Sequence, residues 1–132
     1  MKVALDVAIE EVNKWLDYKR VNDKKRESYK ENIETLVDAV ADGYLRLNQE
    51  DHKFILELKF PTDGESPVKS LEFKPRIKVS QVHQHLQGVK STDADGRLLA
   101  YVAALTSQPS GIIKGLDTED YNVALAIAIF FL

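Results

Sequence analysis

Apolar residues in the first third of the chain recur with a helical period. Between Val3 and about Val21 they fall at Leu5, Ile9, Val12 and Leu16, with Ala8 and Trp15 alongside and Glu10, Glu11, Asn13, Lys14 and Asp17 elsewhere on the wheel. That is the pattern of an amphipathic helix. Val21-Asn22-Asp23 offers a weak break before the charge run from Asp23 to Lys30, with a continuous solvated helix as the alternative. A second stripe, Tyr29, Ile33, Leu36, Val37, Val40 and Tyr44, runs to Gly43, where a helix can stop in the left-handed conformation that other residues adopt at a cost. Two matching stripes predict an antiparallel helical hairpin over residues 1–43.

Beyond Gly43 the period drops to two. Leu45 and Leu47 alternate with Arg46 and Asn48, Asn48 to His52 reads as a polar turn, and Phe54, Leu56, Leu58 and Phe60 alternate with Ile55, Glu57 and Lys59. The breaker cluster Pro61 to Pro67 separates this hairpin from a third short strand carrying Leu71 and Phe73 and ending at Pro75. Helical spacing then returns. Val79, Val82 and Leu86 predict a short helix with Ser80 as its cap and Gly88 as its end, and Leu98, Tyr101, Val102 and Leu105 share one face of the next helix, closed by Pro109 and Gly111. Ile112 to Gly115 reads as one turn before a last helix, for which Asp117 or Thr118 is the expected cap and Glu119 and Asp120 supply first-turn negative charge. Helices, then strands, then helices describe an α+β fold. The expected organisation is a helical arm over 1–43 and an α+β domain over 44–132 with a short antiparallel sheet followed by helices, or one domain overall.

The last helix sets the functional question. Tyr121, Leu125, Ala128 and Leu132 make one stripe and Val123, Ile127, Phe130 and Phe131 a second, so little of the circumference is polar. The segment is far shorter than the roughly 20 apolar residues of a bilayer span, so polypeptide must cover it. One reading makes it a core helix against the Leu98–Thr106 helix and the sheet. The other makes Val123, Ile127, Phe130, Phe131 and Leu132 a docking surface for another protein.

Composition narrows the chemistry. The 132 residues carry a net charge of −3 with 44% hydrophobic and 30% charged content, ordinary for one soluble domain and without the field that captures phosphate backbones. Met1 to Asp6 meet Glu10 and Glu11 before an apolar run of secretory length, so no leader is expected. No cysteine is present, which removes disulfides, thiolate metal sites and a Cys nucleophile. His83 and His85, two apart on a predicted helix, point in nearly opposite directions and do not share a metal ion, and His52 in its turn is expected to be solvated. The serines stand outside any nucleophile elbow, and the six glycines stand singly and build no phosphate-cradling loop. Carboxylate pairs such as Glu10-Glu11, Glu50-Asp51 and Glu119-Asp120 read as solvated faces and helix starts. The expectation is no enzyme, no metal and no cofactor. Lys19 to Lys30 is the one basic concentration, and Asp17, Asp23 and Glu27 interleave with it and weaken its field.

From Phe54 onward the pattern resembles a known family. An alternating strand, a breaker, the strand Ser70-Leu71-Glu72-Phe73-Lys74-Pro75-Arg76, a short helix, then Leu105-Thr106-Ser107-Gln108-Pro109 and Leu116-Asp117-Thr118-Glu119-Asp120-Tyr121 before an apolar terminal helix are similar to the small tail assembly chaperones of tailed bacteriophages. The helices of Val3 to Gly43 depart from the short form of that family. The resemblance implies a non-enzymatic factor of the host cytoplasm that binds the apolar helical tape-measure protein during tail assembly and leaves before the particle is finished. A tail tube protein and self-association are further options, with no membrane and no nucleic acid. Two other classes stay open from the residues alone: a structural tail or baseplate component, and a nucleic-acid-binding regulator using the basic stretch.

Overall fold

The computed structural model describes residues 2–132. Its elements run α1 (Leu5–Tyr18), α2 (Asp23–Ser28), α3 (Lys30–Ala41), β1 (Leu45–Leu47), β2 (Phe54–Glu57), β3 (Ser70–Phe73), α4 (Val79–Leu86), α5 (Ala94–Thr106), α6 (Ser110–Lys114) and α7 (Thr118–Ala128), closed by a 3₁₀ turn at Ile129–Phe131. The architecture is α+β, as the order of periods predicts.

The α1–α3 hairpin forms, and Val3 N–H donating to the Ala41 carbonyl at 3.0 Å sets the start of one helix beside the end of the other. The chain breaks between them. Arg20 adopts a left-handed φ of 57°, and Asn22 caps α2 by accepting from the Lys25 N–H at 2.8 Å. The buried stripe of α1 is Ala8, Val12, Trp15 and Leu16, rotated from the one that spacing suggests. Small Ala8 and flat Trp15 face the core, and Leu5 and Ile9 fall at the edge and stay exposed.

The three strands make an antiparallel sheet in the order β1-β2-β3. Leu45, Leu47, Phe54, Leu56, Leu71 and Phe73 are buried, and the register sets Leu45 opposite Leu56 and Phe54 opposite Phe73, so one face is continuously apolar. The second strand is shorter than its alternation suggests: β2 ends at Glu57, although Leu58 N–H still reaches the Lys69 carbonyl, and Phe60 is exposed.

The helices of residues 1–43 are no detached arm. One apolar cluster joins Ala8, Val12, Trp15 and Leu16 of α1, Leu36 and Val40 of α3, the sheet, Val102 and Leu105 of α5 and Ile127 of α7. Helix α7 lies against α3 and α5, so its nearly all-round apolar character is met by helices on two sides. At the ends of α4, Ser80 lies inside the helix rather than at its cap. Lys78 holds the cap position, its N–H bonded to Gln81 Oε1 at 2.8 Å.

Candidate functional site

The terminal segment divides between core and surface. Ile127 is 0% exposed and Phe130 3%. Phe130 sets its ring edge-on to Trp15, centroids 5.7 Å apart, and to Tyr29 at 5.5 Å. Neither side chain can meet a partner in this fold. Their surface role is therefore corrected to a core role. Val123 is half-buried and lines a hollow of about 190 Å³ with Ala39, Tyr44 and Lys59. Leu132 is 50% exposed. Phe131, half-buried, is the one of the five that forms the wall of a sizeable cleft.

That cleft, about 300 Å³, opens between α4 and α5. Its apolar lining comes from Ile77, Val79, Val82, Leu86, Tyr101 and Phe131, and its ionisable lining is Lys78, His83 and Arg97. Among the described residues no Asp or Glu is part of the lining. Val79, at the first turn of α4, is 86% exposed, because the helix turns only Val82 fully inward.

Positive charge gathers behind the same wall. Lys19 Nζ lies 3.4 Å from the centroid of the Phe131 ring, a cation on an aromatic face. Burial, then the neighbouring Lys25 and Arg76, push its ammonium down to about 8 from 10.5. Lys25 Nζ donates to the main-chain oxygens of Phe130 and Leu132 at 3.3 and 3.2 Å, satisfying acceptors at the end of the last helical segment. The Arg76 guanidinium sits 5.8 Å from the Tyr18 ring, whose plane stacks on His52 at 3.8 Å. His52 is thus half-buried against an aromatic ring, contrary to the solvated turn residue the sequence suggests. Among the described residues the three ion pairs are Arg26–Asp17, Arg46–Glu57 and Lys53–Glu72, and Lys19, Arg76, Lys78 and Arg97 belong to none of them.

A pH-dependent stability follows from Lys19. Its charged form is disfavoured in the folded state, so between about pH 8 and pH 10.5 the unfolded chain binds more protons and folding strengthens as pH rises. The expected result is a urea midpoint that climbs through this window in the wild type relative to Lys19→Met. A constant offset between the two profiles would mean that the ammonium is solvated.

The remaining chemistry is sparse. His83 faces the cleft, while His85 lines two other hollows, so the pair is divided as helical spacing requires. Among the described residues no group of three or more His, Asp and Glu side chains is arranged to hold a metal ion, and no helix is long and apolar enough to cross a membrane. The sequence signal for the cleft was weak, because Val79 and His83 share one helix face but Arg97 and Phe131 reach them only through the packing of three elements. No family model, no curated protein and no solved structure matches the chain.

Proposed function

We propose that the protein is a non-enzymatic assembly chaperone of a tailed bacteriophage, acting in the host cytoplasm on the apolar helical tape-measure protein. The observation that supports this reading best is the run from Phe54 to Leu132, in which strand, breaker, strand, short helix, the Leu105–Pro109 segment that ends α5, and the Leu116–Tyr121 helix start follow in order and end in Phe131 at an open apolar cleft. A groove between two helices takes the apolar face of a third, with side chains at helical spacing entering as anchors. A cleft of this size covers little area, so binding is weak and reversible, which suits a factor that must hand its client on. Tail tube protein and a second copy of the chain are secondary partners under the same reading.

Co-expression tests it. The tape-measure protein encoded in the same genome is expected to move from the insoluble to the soluble fraction when this chain is present, and mass spectrometry of finished particles is expected to find the chain absent. A client equally insoluble with and without it would overturn the proposal. Stoichiometric presence in the particle would favour a structural tail component instead.

A further inference from the structure

We infer that the α4–α5 cleft selects an anionic amphipathic helix, one whose apolar anchors are flanked by Asp or Glu. Val79, Val82, Leu86, Tyr101 and Phe131 supply an apolar floor and walls that gain from covering aliphatic side chains. Among the described residues, the ionisable side chains at the opening other than Tyr101 are Lys78 at the start of α4, Arg97 on α5, and His83 one turn beyond Val79. Lys19 and Arg76 extend the positive field behind Phe131. None of Lys19, Arg76, Lys78 and Arg97 has an ion-pair partner among the described residues. In a chain of net charge −3 such a local excess is a complement awaiting its opposite. A client with carboxylates one turn either side of its anchors would be steered in and held in register, whereas a basic helix with the same apolar face would meet like charge.

The inference rests on the chaperone reading for who the client is, and on the cleft alone for what the client must carry. Two synthetic helical peptides with one Leu stripe, differing only in Glu or Lys on the flanking positions, test it by calorimetry and amide NMR on the full chain. The Glu peptide is expected to bind roughly tenfold or more tightly than its Lys twin, to weaken as salt is raised, and to shift the amides of Val79, Val82 and Phe131. Lys78→Glu with Arg97→Glu should reverse the preference, and Lys78→Glu alone, at an exposed residue, should halve the discrimination or more without affecting the fold. Equal binding of both peptides, or shifts confined to Leu5 and Ile9 on α1, would overturn it. So would the same cleft amides shifting with protein concentration and no peptide bound, which would make a second copy the occupant. If the double variant keeps the tape-measure protein soluble as well as the wild type does, the cleft inference fails and the chaperone reading stands. If the wild type never solubilises it, that reading fails, and the peptides still decide the cleft.

Discussion

Trp15→Ala is expected to remove about 3–5 kcal/mol of folding stability, a large share of the roughly 5–15 kcal/mol a domain commonly has. The indole is fully buried and meets two distant parts of the chain: its ring centroid is 4.9 Å from Phe54 on β2, and 5.7 and 6.2 Å from Phe130 and Phe131 in the closing 3₁₀ turn. Removing it leaves a void that Phe54 and Phe130 cannot both fill. The experiment also decides between an arm and a shared core. With a shared core, amide protection in β2 and far-UV circular dichroism fall together in one transition at lower urea. An independent arm would instead leave the β2 amides protected at the wild-type midpoint. Trp15→Phe separates volume from polarity. The indole Nε1–H has no acceptor among the described residues, so phenylalanine removes a buried donor along with some volume, and the net loss is expected to stay below about 2 kcal/mol.

The same contacts explain what could be read in advance. Periodicity locates elements because it depends only on neighbouring residues, and the β1–β2 hairpin, the short β3 strand and the helices on either side stand where the alternation changes. Periodicity does not say what covers a face. The second stripe of the last helix was apolar enough to be core or interface. The structure divides it: Ile127 and Phe130 are buried, partly beneath helices from the other end of the chain, while Val123 and Phe131 keep surface. The Lys25 contact to Phe130 spans 105 positions, a distance over which no local pattern carries information. Val79 shows the opposite error. It shares the apolar spacing of α4 with Val82 and Leu86, yet eight residues make little more than two turns, and only Val82 of that face is fully covered. The cationic rim was invisible for a related reason. Lys78 and Arg97 are ordinary isolated charges in the sequence, and they become one feature only when α4 lies on α5.

Asp120→Ala is expected to destabilise the fold by about 2–4 kcal/mol, because two hydrogen bonds to one charged group disappear at once. In the sequence Glu119 and Asp120 look equivalent, both acidic in the first turn of α7. The structure separates them. Glu119 is exposed, whereas Asp120 is 2% exposed, its Oδ1 accepting from the Lys59 N–H at 2.9 Å and its Oδ2 from the Phe60 N–H at 3.1 Å. These are the first backbone donors beyond the paired part of β2 on that side, and without the carboxylate two N–H groups would be left beside apolar surface. The helix start contributes as well, since its exposed N–H groups and dipole favour the negative charge. Asp120 therefore ties the entry of the last helix to the exit of the central strand. Asp120→Asn keeps the shape but offers one oxygen and one NH2 group to two donors, so one backbone N–H loses its acceptor; its loss should fall between zero and that of alanine. Hydrogen exchange gives the residue-level readout: the Lys59 and Phe60 amides should exchange faster in both variants, while Leu56, bonded within the sheet, keeps its protection until global unfolding. Wild-type exchange rates at Lys59 and Phe60 in the alanine variant would show that the carboxylate does not hold the strand end, and the predicted stability loss would then have no source.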